Sequence, residues 1–203
     1  MAWDGLSTEL EGSLVRLEPL HARHEADLFA ASQDERIWRW LIGPGILPTR
    51  ELMSDWLQQA VGDSADGREA AFATVWSATG QAVGSSRFLS LRPEHRGLEI
   101  GWTWLTPASW GTGANVEAKL LMLEHAFERM GCQRVEFKTD ARNEQSRGAL
   151  LALPATFEGV LRRHMVMPYG ARDSAYYSVI ADDWPDVRAH LRGRLAAAER
   201  RGA

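Results

Sequence analysis

A mixed β-sheet with helices on both faces is the fold class this sequence predicts, and three observations predict it. Strand-type segments and segments of helical spacing alternate along all 203 residues. Three consecutive strand-type segments, 70–77, 82–91 and 98–105, are separated only by turn residues, which makes a meander the simplest arrangement. After it the order becomes helix, strand, helix, strand, strand, so helices must cover the sheet from both sides.

Each element has its own signal. Residues 1–11 have no period and read as an N-terminal arm; 12–183 form the domain, and 184–203 a C-terminal helical tail packed on or extending it. A first strand at 13–18 is ended by Pro19. Residues 20–32 read as a helix; 37–41 run into the breaker Gly43-Pro44-Gly45. Thr49 then caps a helix through Met53, Trp56, Leu57 and Val61, and 62–67 are a polar loop. Val116, Leu120, Leu123, Phe127 and Met130 repeat at helical spacing up to Gly131, which predicts one long helix. Val135, Phe137 and Thr139 alternate with charged neighbours in a strand at 134–140, and a short helix over 143–153 is stopped by Pro154. Residues 157–165 and 174–181 close the sheet around Pro168-Tyr169-Gly170.

Composition removes several function classes. The net charge of −4 argues against a broad nucleic-acid surface, and Arg188, Arg192, Arg194, Arg200 and Arg201 on the tail read as a solvated helix face. No stretch approaches the roughly 20 apolar residues of a membrane span. Asp4, Glu9 and Glu11 precede any basic residue, unlike a secretory signal, and Cys132 is the sole cysteine, so a reducing cytoplasm is expected. Cys132 reads as a packing residue. His21 and His24 lack a third ligand, and Leu28 breaks the zinc-protease pattern, so no metal is expected. Arginine supplies nearly all the positive charge, Lys119 and Lys138 being the only lysines.

The chemistry-bearing stretch is Thr106-Pro107-Ala108-Ser109-Trp110-Gly111-Thr112-Gly113-Ala114-Asn115, between the third meander strand and the long helix. Two glycines at a helix entrance let several backbone N–H groups aim at one point, where the helix adds its own unpaired N–H groups and positive end. That is a phosphate cradle. The Walker pattern is absent, and the third glycine of a dinucleotide fingerprint would fall at Val116.

With this loop in place the chain resembles the GNAT acetyltransferase superfamily, in the branch of the RimJ/RimL ribosomal-protein N-acetyltransferases. The likeness runs from Leu14-Val15-Arg16-Leu17-Glu18-Pro19-Leu20 through Glu99-Ile100-Gly101-Trp102, the Trp110-to-Asn115 loop and Glu117-Ala118-Lys119-Leu120-Leu121. It continues in Arg142-Asn143-Glu144-Gln145-Ser146, Phe157-Glu158-Gly159-Val160-Leu161-Arg162 and Arg172-Asp173. The resemblance implies an α/β (α+β) GNAT fold with a mostly antiparallel sheet of roughly six to seven strands. It also implies acetyl-CoA as cosubstrate, a primary amine as acceptor (a protein N-terminus or a small molecule), direct transfer in a ternary complex, and a homodimer.

Residue by residue, it places the pyrophosphate on Trp110, Gly111, Thr112, Gly113, Ala114 and Asn115. Gly111 and Gly113 are kept, while Trp110 replaces a polar residue and Asn115 a small one. The pantetheine is expected to insert between strands 98–105 and 134–140, along Trp104, Leu105 and Thr106, with Asn143 and Ser146 as neighbours and an oxyanion donor near Leu105. Gly101 suits a bulge. Acetyl transfer needs a proton acceptor for the amine. Strand alternation puts Glu99 on the face opposite Ile100, Trp102 and Trp104, and makes it the base candidate. The family's tyrosine acid would stand at Leu150, so Ser146 takes the sulfur-side hydrogen bond. Trp38, Trp40 and Trp102 are the candidate walls of the acceptor site, by cation–π contact. Pro154 stands where the family has glycine. Because proline disfavours positive φ, either that turn differs here or the family's glycine is not in that conformation. The missing tyrosine also keeps open an acyl-CoA-binding sensor without chemistry.

Overall fold

The structure, a computed structural model, describes residues 3–41 and 47–202. The breaker at 43–45 therefore lies outside the described residues. The strands are β1 (Leu10–Glu11), β2 (Val15–Pro19), β3 (Ala70–Trp76), β4 (Ala82–Arg92), β5 (Gly97–Leu105), β6 (Arg134–Asp140), β7 (Thr156–Met167) and β8 (Gly170–Ile180). The helices are α1 (Glu25–Ala31), α2 (Glu35–Trp38), α3 (Arg50–Ala65), α4 (Ala114–Glu124), α5 (Glu144–Ala152) and α6 (Trp184–Gly202).

All eight strands share one sheet in the order β1-β2-β3-β4-β5-β6-β8-β7. Every pairing is antiparallel except β5 with β6, the place where the chain crosses over through α4. The extra strand is β1, two residues of the supposed arm, which pairs Leu10 with Leu17. Such a short pairing leaves no periodic trace in a sequence.

Two apolar layers flank the sheet. On one face Leu17, Phe72, Phe88, Leu98 and Ile100 pack with Met122 and Leu123 of α4 and Leu191 of α6. On the other, Ala71, Ala73 and Val75 pack with Leu28, Met53 and Leu57 of α1 and α3. The alternation of Phe72 against Ala71 and Ala73 is the strand period read directly as burial. Arg188 and Arg192 of α6 meet Glu128 and Glu124, and Trp184 stacks on Phe127 at 5.4 Å, so the tail is part of the main layer. Those two arginines are paired, not freely solvated.

Local caps explain the helix starts. Thr49 Oγ1 accepts from Leu52 N–H, and Asn143 Oδ1 accepts from Ser146 N–H. His24 bonds Glu18 at 2.9 Å and accepts from His21 N–H, so this histidine closes a short 3-10 turn (Ala22–His24) that precedes α1. Burial alone would raise the Glu18 pKa, but hydrogen bonds from Arg23, His24 and Arg16 outweigh it and hold it at about 2. Glu117 of α4 is buried and accepts from the N–H groups of Ser13, Leu14 and Val15, which fixes where β2 begins. Gly12 has to be glycine there, because a Cβ would lie 2.5 Å from the Glu117 carboxyl carbon.

Three expectations change in detail. The long helix is regular only to Glu124 and continues as a π-turn over His125–Arg129, closed by Gly131 at φ +68°. The helix capped by Thr49 runs on to Ala65 through the supposed loop. Pro154 sits at φ +26°, against its ring's preference, and Ala155 N–H bonds Leu150 O at 3.1 Å behind it. The turn takes a positive φ despite the proline, which carries the strain.

Candidate active site

β5 and β6 pair at Gly97 with Arg134, Leu98 with Val135 and Glu99 with Glu136, and beyond that they part. The free edge of β5 from Ile100 to Leu105 and the facing residues Phe137, Lys138 and Thr139 of β6 open into a cleft of about 360 Å³. An unpaired strand edge is a row of N–H and C=O groups ready to bind an extended amide-bearing ligand.

A bulge shapes this wall. Ser85 opposes Trp104 but Arg87 opposes Gly101, so β5 carries one residue too many, and Trp102 takes φ +48°. Side-chain alternation slips by one there. Thr103 reaches α4, while Trp102 and Trp104 both lie toward α3, which is the face of Glu99. The expectation that Glu99 stands opposite these tryptophans is corrected; it stands opposite Ile100 only.

Glu99 is 4% exposed, at the closed end where the strands still pair. Its carboxylate bonds Lys138 Nζ at 2.9 Å and Ser90 Oγ at 3.3 Å. Lys138 lines the cleft whereas Glu99 does not, so the carboxylate meets the cavity through the ammonium. Lys119 approaches from the α4 side, buried, and among the described residues it bonds only the hydroxyls of Thr103 (2.7 Å) and Ser86 (3.2 Å). Burial without a counter-charge pushes its pKa down to about 7.

The loop closes the far end. Gly111 is at φ +75° with nothing within 4 Å of a would-be Cβ, so its backbone faces open space, and Gly113 is at φ +101°. Gly113 is the residue before the first turn of α4, and Thr112 Oγ1 accepts from Ala114 N–H. Trp110 is tied back by its Nε1 to Leu105 O at 2.9 Å and carries Arg36 over its ring. A smaller cavity beside Gly111, Gly113 and Asn115 is lined by Arg194 of α6.

Among the described residues seven buried side-chain N or O atoms lack a hydrogen-bond partner, and four of them, Trp104 Nε1, Ser109 Oγ, Asn115 Oδ1 and Arg172 Nε, belong to residues that line the cleft, while Trp56 Nε1, Ser85 Oγ and Arg87 Nε lie elsewhere. Buried polar atoms are ordinarily satisfied, so their gathering here marks a ligand site. Asn115 Oδ1 on the first turn of α4 lacks a donor, as a pocket for an amide N–H requires. Together with the open glycine cradle and the free β5 edge, this fits acetyl-CoA.

Of the residues singled out in sequence, Trp40, Trp102, Trp104, Leu105, Trp110, Gly111, Asn115, Asn143 and Ser146 line the cleft. Thr106, Thr112 and Ala114 do not; Thr106 N–H is spent on Val83 O, and Ala114 is buried in the core. Trp38 does not either. It is 3% exposed, 5.2 Å from Trp104, with its Nε1 bonded to Ser32 O, so it is a core residue and its expected acceptor role is withdrawn. Cys132 is buried, and burial pushes its thiol up to about 11. Sequence reasoning missed Lys119, Lys138 and Arg172. One signal was present: the only two lysines of an arginine-rich chain both line this cleft.

The sequence profile described as the acetyltransferase (GNAT) domain matches residues 15–154. The chain belongs to the GNAT acetyltransferase family. It is an acetyl-CoA-dependent acyltransferase by that membership. Among solved structures it is similar to a GCN5-related N-acetyltransferase from Brucella melitensis, 32% identical with a TM-score of 0.86, covering 93% of this chain and 86% of that one. Mycobacterium smegmatis RimJ, solved in complex with CoA-disulfide, shares the fold at 22% identity and a TM-score of 0.81 over 98% of both chains. A Bacillus subtilis protein named "Putative ribosomal N-acetyltransferase YdaF" is 28% identical over 173 residues, 83% of this chain and 90% of that protein. In this GNAT chain no described helix is long and apolar enough to cross a membrane.

Proposed function

We propose that the protein moves the acetyl group of acetyl-CoA straight to a primary amine, with both substrates in the cleft at once. The observation that supports this most is the parting of β5 from β6 beyond Glu99, which leaves a free strand edge leading from the glycine loop toward the Glu99–Lys138 pair. The name of the Bacillus subtilis relative favours a protein N-terminus over a small-molecule amine as acceptor.

The backbone of Gly111 to Gly113 and the first turn of α4 would hold the diphosphate, and the β5 edge with Asn115 Oδ1 the amide-bearing arm. Acetyl-CoA supplies the acyl group activated as a thioester. Glu99 takes up the proton that the amine must lose, either through one water or by a relay in which Lys138 hands one of its own protons to the carboxylate as it accepts the amine's, because Lys138 Nζ is its contact with the cavity. Backbone N–H near Leu105 on the free edge donates to the carbonyl oxygen as its charge grows. Ser146 stands on α5 with its hydroxyl bonded to no described residue and donates to the sulfur side, in place of an acid at Leu150, whose side chain is apolar and lines the cleft. Trp40 and Trp102 form walls against which an ammonium can rest. A buried Cys132 thiol held at about 11 is a poor nucleophile, which favours direct transfer over an acetyl-enzyme.

The test is amine-dependent release of free thiol from acetyl-CoA across a panel of N-terminal peptides and small amines. Ser146→Ala is expected to lower kcat while keeping acetyl-CoA affinity. Acetyl-CoA binding with no turnover of any amine would instead support a sensor.

A further inference from the structure

Arg172, on β8, is 8% exposed and lines the cleft. Its guanidinium makes no hydrogen bond or ion pair with any described residue, and its Nε is buried without a partner. A guanidinium is never neutral in a protein, so an unpaired buried one is a standing demand for an anion. The Asp140 carboxylate on the neighbouring strand feels the Arg172 charge but gives it no hydrogen bond, because its oxygens are already taken. Asp140 Oδ1 accepts from Arg142 N–H and Nε, and its Oδ2 from Arg142 Nη2 and the Tyr169 hydroxyl. Asp173 is likewise engaged, accepting from Arg163 N–H.

The β7–β8 hairpin reaches across so that Tyr169 packs edge-on against Trp40, centroids 6.4 Å apart, and bonds Trp40 O. Arg172 lies on β8 on the same side as Ser174, whose hydroxyl bonds His164; on β6 the same side carries Lys138 and Asp140. The glycine loop, with its own cradle and Arg194 beside it, is a separate part of the site. The diphosphate has its place there and leaves Arg172 to the other substrate.

Resting on the acetyl-transfer reading, we propose that Arg172 receives a carboxylate carried by the acceptor, so that the amines this enzyme takes are amino acids or peptide N-termini with an acidic side chain close to the amine. The planar fork of arginine matches a carboxylate with two parallel N–H···O bonds, which also fixes the orientation of the attached amine. Neutral amines of the same shape leave the guanidinium unpaired and are rejected.

The experiment uses matched acceptors: free amino acids against their carboxamides, and short peptides with Asp or Glu against the same peptides with Asn or Gln at the second position. Wild type is expected to favour the acid by about tenfold or more in kcat/KM. In Arg172→Met that ratio falls to near one while acetyl-CoA affinity is held, and Arg172→Lys restores part of it. Preference confined to free amino acids or to acidic peptides tells which source the carboxylate has. Equal use of acid and amide by wild type overturns the proposal, as does an Arg172→Met variant that keeps the preference or weakens acetyl-CoA instead. Tryptophan fluorescence titration with the same pairs reads the preference without turnover. If no amine reacts but the acid still binds more tightly than the amide, and Arg172→Met removes the difference, the transfer reading fails and the carboxylate site stands.

Discussion

Lys119 and Lys138 line one cleft from opposite faces of the sheet, in opposite company. Lys138 shares its face with Glu99, Asp140 and Arg172, and its ammonium meets a carboxylate at 2.9 Å. Lys119 shares its face with Ile100, Phe137 and Leu150, and meets only hydroxyls. One side is a polar floor where Glu99 and Asp140 are paired and Arg172 is not; the other is a packed layer that drives the one amine in it toward neutrality. The difference divides the labour. On the proposed reading the α4 layer sets where the ligand arm lies, and the polar face decides which acceptor can be used and where its proton goes.

Breaking the polar face is expected to have the largest effect. Glu99→Gln should lower kcat by about 10²-fold or more. Acetyl-CoA affinity should be unchanged in calorimetry, because the carboxylate is bonded to Lys138 at the closed end of the cleft and does not line it. On the packed side, Glu117→Gln is expected to cost about 2 kcal/mol of stability in urea unfolding, since N–H groups of Ser13, Leu14 and Val15 converge on that carboxylate.

Lys119 sharpens the comparison through pH. Its folded pKa of about 7 lies below its ordinary value of 10.5, so between those limits the unfolded chain binds the extra proton and stability rises with pH. Lys119→Met should remove that slope, which approaches ~1.4 kcal/mol per pH unit for a single group. Urea unfolding of both proteins at pH 7, 8 and 9 is the measurement; parallel pH profiles would mean that Lys119 keeps its charge when folded. The smallest effect expected is at the turn after α5. Pro154→Gly should release the strain of φ +26° and gain about 1 kcal/mol, read as a higher Tm.

The layers of the fold and the glycine loop were legible in the sequence because they rest on short-range chemistry. Thr49 and Asn143 announce helices by capping, and Gly111 and Gly113 mark a turn that needs positive φ. What was not legible depends on partners distant in sequence. The bulge at Trp102 shows only in the pairing of β5 with β4, and it puts two tryptophans on the face of Glu99. Trp38 has the same indole as Trp40 but is sealed by Trp104, while Trp40 is left at the cleft by the hairpin around Tyr169. Arg172 lay within the quoted Arg172-Asp173 pair, yet nothing local distinguishes an unpaired arginine from the paired ones around it. Its meaning is the absence of a hydrogen-bonded carboxylate among the described residues, which only three dimensions reveal.

The central claim is that the cleft between β5 and β6 holds acetyl-CoA with its diphosphate on the glycine loop. The most direct test is calorimetric titration of wild type and Gly111→Val with acetyl-CoA, using ATP and NADH as controls. Gly111 stands at φ +75° in open space, so a side chain there disturbs the cradle without striking the core. The account predicts one-site binding of acetyl-CoA alone by wild type and a loss of about tenfold or more in the folded variant. Equal affinity of the two proteins, or no heat from folded wild type, would contradict it.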